Sequence, residues 1–346
     1  MRLQEDRAIG KHPDYAFAPL AGAKGRRVRL EYTTTFENTL QRLRGNRLVK
    51  AERDAQTRAR ILFLGDSFTY GLGANNDEAF VSRMAARWPD IEVINSGCDG
   101  YGQVEELAVL DRLGGATEPD LTVIMFFWND LEDNRRTNSL RYELSADGRV
   151  QRVQPATTPE DPLKLWPLET GTRLSPWHKL YLLDLYEEAT AALRYRWLGM
   201  RPRRIVNEEQ KEAAWQYTEP LFAMLKRRAD EIGTRLVCVC IPDYNQVNPQ
   251  AVIRNIGPVN FEIQQRLERV CRQNGIAFLD PLPFFRAAFA QRRHTDAPLF
   301  YYVDRHMTPA GNVVMADYLA TQLGPLLDVK TPSELKARDK RDGDAK

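Results

Sequence analysis

The chain has 346 residues, 43% of them hydrophobic and 28% charged, and a formal net charge of +2. This length suits one large α/β domain with insertions, or two domains. The near-balanced charge excludes a binder that grips nucleic acid through a strong basic excess.

The first 57 residues are mixed and basic, with Pro13, Pro19 and several glycines. They read as an irregular lead-in with one short strand near Val28–Tyr32. Residues 60–64 read as the first strand, in which the apolar run Ile61–Leu64 is ended by a glycine turn, the pattern of a buried strand. Asp77 is placed to cap a helix through Phe80, Met84 and Trp88. A second strand follows at Ile91–Asn95, a helix at Gln103–Leu113 and a third strand at Leu121–Phe127. Residues 131–175 are polar and proline-punctuated with no clear period. A helix over 176–198 carries Trp177, Leu180, Leu183, Tyr186 and Leu193 at helical spacing. A longer helix spans Glu208–Ile232. Alternation resumes with a strand at Arg235–Ile241, a helix at Val259–Asn274 and a strand at Ile276–Asp280. A short helix covers Pro283–Ala290. The last helix opens at Thr308-Pro309, a cap residue followed by proline at the first helical position, and ends near Leu326. The charge-dense residues beyond it read as disordered.

Five β-α units imply an α/β fold, a parallel sheet covered by helices on both faces. The expected organisation is a lead-in over 1–57, one domain over 58–326 and a tail over 327–346. Residues 131–205 form an insertion placed to cap the site. Its aromatics, including Trp166, Trp177, Tyr181, Tyr186, Tyr195 and Trp197, suit an acyl groove, sugar stacking or plain core packing. Cys98, Cys238, Cys240 and Cys271 have neither zinc nor redox spacing. Cys238 and Cys240 share one face of a strand and read as core thiols. Neither a signal peptide nor a membrane-spanning run is expected, so the default is a cytoplasmic protein.

Chemistry concentrates at strand ends. Gly65-Asp66-Ser67 presents a serine just past the first strand, where open α/β sheets bind ligands. It is not the G-x-S-x-G elbow, because Thr69 stands where the second glycine belongs. Nor is it a P-loop, and Gly71-Leu72-Gly73 lacks the third glycine of a dinucleotide fingerprint. After the second strand comes Asn95-Ser96-Gly97-Cys98-Asp99-Gly100-Tyr101-Gly102, whose backbone N–H groups suit an oxyanion. Trp128-Asn129-Asp130 follows the third strand and offers a side-chain amide. Asp304-Arg305-His306 precedes the last helix and pairs an imidazole with an acid that orients it. Each element alone has an ordinary explanation as a turn, a connection or a cap. His12, His178 and His294 read as structural.

Together, in this order, the four segments resemble blocks I, II, III and V of the SGNH, or GDSL-like, hydrolase superfamily, across roughly residues 58–326. The resemblance implies a three-layer, flavodoxin-like five-stranded fold. It also implies Ser67 as nucleophile, His306 as base, and an oxyanion hole of the Ser67 N–H, the Gly100 N–H and the Asn129 amide. Gly100 is preferred over Gly97 for its position five residues after Asn95. Two departures stand out. Trp128 occupies the place of the usual glycine. Val303 stands three residues before the histidine, where the usual acid lies, so the acid is Asp304, two residues before.

The activity implied is hydrolysis of carboxylic esters, on small or carbohydrate-linked acyl groups. O-acyl transfer to a glycan hydroxyl is the alternative with the same residues, and a non-catalytic binding protein of the same fold is a third. No cofactor is expected. No metal is expected either, since there is neither an H-x-x-x-H pair nor a Cys/His cluster. The expected partner is a small-molecule or glycan-linked ester substrate and not a nucleic acid, and no membrane span is expected.

Overall fold

The computed structural model describes residues 9–12, 15–136, 142–144, 150–152, 161, 163–167, 208–248 and 262–327. The chain opens with two antiparallel hairpins. The first pairs β1 (Ile9–His12) with β2 (Ala16–Pro19), the second β3 (Lys24–Val28) with β4 (Thr33–Glu37). The single strand expected near Val28–Tyr32 is therefore corrected. Residues 29–32 are the connection between two strands, with the Arg29 N–H donating to Tyr32 O at 2.8 Å.

The central sheet holds β5 (Ala59–Gly65), β6 (Ile91–Asn95), β7 (Leu121–Phe126), β10 (Arg235–Cys240) and β11 (Ala277–Leu279), in the order β11-β10-β7-β5-β6. Every pairing is parallel, with Ile61 opposite Leu121 and Phe63 opposite both Val123 and Asn95. Counted in chain order along the sheet, the strands run 2-1-3-4-5, the flavodoxin-like order. Every residue of β5 and β7 is buried, which explains why both are near-continuous apolar runs and not alternating ones.

Successive side chains of a strand point to opposite faces, and two apolar layers result. On one face Leu62, Leu64, Ile124, Phe126 and Cys238 pack against α3 (Gln103–Val109), α5 (Glu208–Ile232) and α7 (Glu262–Gln273), with Trp215 and Phe222 at the centre. On the other, Ile61, Phe63, Val123, Met125 and Val239 pack against α2 (Phe80–Arg87), α8 (Leu282–Ala290) and α9 (Pro309–Leu327). This is a three-layer α/β/α fold. All four cysteines are buried.

Several local expectations change. Asp77 does not cap α2, which begins after Ala79 with no side-chain cap. Its first N–H, on Phe80, instead donates to Asn312 Oδ1 of α9 at 2.9 Å, a tertiary contact that replaces the local cap. The stretch after residue 130 is not wholly irregular. It contains α4 (Asp130–Arg136) and the hairpin β8 (Tyr142–Leu144)–β9 (Val150–Arg152). A further short helix, α6 (Tyr244–Val247), follows β10. The helix expected over 176–198 and most of the proposed cap lie outside the described residues. So does the charged tail after residue 327.

Candidate active site

The crevice at the carboxyl ends of β5 and β7 is the point where the strand order reverses. The connections that leave the sheet there carry the four segments singled out from sequence. After β5, Gly65 takes φ +152, and a Cβ on it would overlap Thr69 Oγ1 and press on Met125. Only glycine lets the chain turn this tightly into α1 (Ser67–Tyr70). Asp66 caps that helix, its Oδ1 accepting the Phe68 N–H at 2.9 Å. Ser67 is thus the first helical residue, and its N–H has no acceptor inside the helix.

Ser67 Oγ lies 2.7 Å from His306 Nε2, and His306 Nδ1 lies 2.5 Å from Asp304 Oδ1. The tautomer that satisfies both contacts carries its proton on Nδ1 and leaves Nε2 to accept from the serine. Phe68 and Phe127 support the ring, with centroids 4.7 Å apart for Phe68–His306 and 4.3 Å for Phe68–Phe127. Residues only two apart reach one another because Arg305 between them adopts φ +75, a strained conformation for a side chain of its size. Its guanidinium stacks over the Tyr244 ring at 4.3 Å.

Electrostatics favour the charged forms of the pair. Burial acts to lower the His306 pKa, but the carboxylates of Asp304, Asp66 and Asp99 outweigh it and raise it above the ordinary 6.5. Burial acts to raise Asp304, yet the His306 charge and the donors on His306 and Tyr32 hold it at about 2. Asp66, sealed from solvent, is pushed up to about 7 by burial, despite the Phe68 N–H and the His306 charge.

The second segment is sewn to the first, with the Cys98 N–H donating to Gly65 O at 3.1 Å. Its two candidate glycines differ. The Gly97 N–H is occupied by Asn95 Oδ1 at 3.0 Å. Gly100 sits at φ +83, and its N–H meets no acceptor among the described residues. In the third segment, the Asn129 amide donates to Asp133 Oδ2 at 2.8 Å and lies within hydrogen-bonding reach of Asp66. Trp128 stands beside it, its indole N–H donating to Asp243 Oδ2 at 3.1 Å. The same Asp243 caps α6 through the Asn245 N–H at 2.8 Å, and burial pushes its carboxyl up to about 6.

Two contributors went unnoticed in the sequence. Tyr32 Oη donates to Asp304 Oδ2 at 3.1 Å. The Glu31 carboxylate accepts the N–H groups of Tyr302, Val303 and Asp304 at 2.7, 2.7 and 2.8 Å. Neither belongs to a motif, and nothing local in Glu31-Tyr32 points to a partner more than 270 residues away. Of the insertion's aromatics, Trp166 is described; it lies under the Arg42 guanidinium at 4.2 Å and beside His12. Trp177, Tyr181, Tyr186, Tyr195 and Trp197 lie outside the described residues. Among the described residues no group of three or more His, Cys, Asp and Glu side chains is arranged to hold a metal ion. No helix among them is long and apolar enough to cross a membrane.

Residues 63–314 match the family model of the GDSL-like lipase/acylhydrolase family. No curated protein matches the chain. Among solved structures, it is similar to LAE5, an alpha/beta hydrolase from the metagenome of Lake Arreo, at 14% identity. That match covers 78% of this chain and 96% of LAE5, with a TM-score of 0.43. It is also similar to Axe2, an acetylxylan esterase from Geobacillus stearothermophilus, at 14% identity, 79% and 96% coverage and a TM-score of 0.43. A third likeness is to TesA, at 15% identity, 77% and 99% coverage and a TM-score of 0.41.

Proposed function

Because the chain belongs to the GDSL-like lipase/acylhydrolase family, enzymes that act on ester bonds, we propose that it hydrolyses small or carbohydrate-linked acyl esters through an acyl-enzyme on Ser67. The observation that carries this reading is the unbroken line from Asp304 through His306 to Ser67 Oγ, 2.5 and 2.7 Å in its two links.

Ser67 Oγ attacks the ester carbonyl while His306 Nε2 takes its proton. Asp304 holds the imidazole in the required tautomer and stabilises the imidazolium that forms. The N–H groups of Ser67 and Gly100 donate to the developing oxyanion. The Asn129 amide is the third donor; its Nδ2 carries two hydrogens, one of which is bonded to Asp133. The tetrahedral adduct collapses as the alcohol leaves with the proton from His306, giving the acyl-enzyme. His306 then takes a proton from water as it attacks the acyl carbon. Return of that proton to Ser67 Oγ releases the acid. Asp66 orders the turn through its bond to Phe68 and takes no part in proton transfer.

The test is hydrolysis of a p-nitrophenyl ester series, acetate to palmitate, by wild type and Ser67→Ala. The expected outcome is turnover by wild type, a loss of about 10³-fold or more in the variant, and a chain-length optimum that narrows the acyl group. Equal rates in the two proteins would overturn the role of Ser67. No turnover of any ester would overturn the hydrolase reading.

A further inference from the structure

The acid Asp304 is held from a direction that none of the four sequence blocks supplies. Its loop is unusual in two ways. The acid and base are two residues apart, which forces Arg305 into the left-handed region at φ +75. Three consecutive N–H groups, on Tyr302, Val303 and Asp304, converge on both oxygens of one carboxylate, Glu31. Such a run of backbone donors forms a concave site for an anion, and Glu31 brings that anion from the β3–β4 connection. The next residue, Tyr32, reaches the side chain of the acid itself. Asp304 Oδ1 faces His306 Nδ1 and Oδ2 faces Tyr32 Oη, so both oxygens have a donor and the carboxylate plane is fixed.

We propose that Glu31 and Tyr32 are positioning residues for the reaction, Glu31 by holding the backbone of the acid loop and Tyr32 by setting the orientation and basicity of the Asp304 carboxylate. The proposal rests on the Ser67–His306–Asp304 reading above. Tyr32 is suited to the task because burial and the Asp304 charge keep its phenol protonated, despite opposition from Arg27 and Arg29. Among the described residues, the following groups bear on the pair. Asp66 and Asp99 act on His306; Tyr32 and His306 act on Asp304; Tyr301, tilted against Tyr32 with centroids 4.5 Å apart, also feels the Asp304 charge. Without the phenol oxygen, Asp304 Oδ2 loses its donor and the carboxylate becomes a stronger base. It then grips the imidazolium more tightly, and the His306 pKa rises.

Tyr32→Phe deletes one oxygen and leaves the ring packing in place, and two readouts test it. One is the acid limb of kcat/KM. The other is the titration of the His306 ring by 15N NMR in histidine-labelled protein, assigned with His306→Ala. We expect kcat to fall about tenfold with KM near wild type. Both the limb and the NMR midpoint should move up by about half a pH unit. A purely structural role for Tyr32 moves neither. An unmoved NMR midpoint in Tyr32→Phe overturns its role, whatever happens to kcat. Glu31→Gln leaves one carbonyl oxygen for three N–H groups and is expected to lower kcat about tenfold or more; an unchanged kcat overturns the role of Glu31. If wild type hydrolyses no ester, the esterase reading falls, while the NMR midpoint still decides whether Tyr32 governs the Asp304–His306 pair.

Discussion

Asp66 sits inside the Gly65-Asp66-Ser67 turn, yet its physics differs from that of its neighbour Ser67. Its side chain is fully buried and caps α1, and burial lifts its carboxyl from 3.8 to about 7. A carboxyl raised on folding stabilises the fold fully below its unfolded value. That contribution is lost as pH rises through the folded value. Asp66 therefore works against stability increasingly between about pH 4 and pH 7. Asp66→Asn keeps an oxygen for the Phe68 N–H and removes the ionisation. The thermal midpoint of the variant should gain on wild type as pH is raised from 4 to 8. Parallel curves in a pH series would show that Asp66 ionises freely in the folded chain. The motif itself was legible in residues 65–67. The electrostatic surroundings of Asp66 were not, because Asn129 and Asp133, which act on its carboxyl, arrive from the end of β7.

Elements β5, β6 and β7 are pinned at the end opposite the site. Arg60 at the start of β5 is sealed from solvent. It binds Glu92 of β6 through Nε at 2.6 Å and the carbonyls of Lys50, Ala51 and Thr117, while its backbone N–H donates to Asp120 Oδ2 at 2.7 Å. An arginine at the head of an apolar run looks like a solvated strand end in sequence. The parallel pairing decides otherwise, since it sets Arg60 opposite Glu92 in register. Arg60→Met leaves Glu92 buried without its partner and should cost about 3–5 kcal/mol. Ester turnover per folded molecule should stay near wild type, because the clamp lies a strand's length from Ser67. Urea unfolding measures the first; a loss under about 1 kcal/mol would mean that the pair behaves as an exposed one. Elements with strong apolar patterns, such as Glu208–Ile232 and Ile91–Asn95, have the bounds that their apolar spacing predicts. Elements with weak apolar patterns, such as the β3–β4 hairpin and α6, do not announce themselves. Their stability comes from contacts made elsewhere, such as Tyr32 on Tyr301 and Arg305 on Tyr244.

Across the whole molecule the net charge is only +2, but its distribution matters more than its sum. Asp304, Asp66 and Asp99 surround His306, and their attraction for its proton exceeds the opposing effect of burial. In the proposed mechanism His306 is the base and must be neutral, so the acid limb of kcat/KM should lie above 6.5 and not below it. A pH profile of ester hydrolysis checks this; a limb below 6.5 would mean that burial dominates. The sequence by itself determined the order of the sheet-forming runs, the serine turn, the glycine-rich connection, the Asn129 segment and the Asp304–His306 pair. Each of these is encoded locally, in a strand's apolar run or in the spacing of a few residues. Tertiary structure alone decided which donors find an acceptor among the described residues, as Gly97 and Gly100 show. It also decided how Asp304 and His306 meet across a strained Arg305, and how Glu31 and Tyr32 reach Asp304 from the other end of the chain. Those outcomes rest on contacts between residues up to 273 positions apart. No local pattern of polarity encodes such pairings, because they exist only once the packed sheet has brought both segments to the same edge.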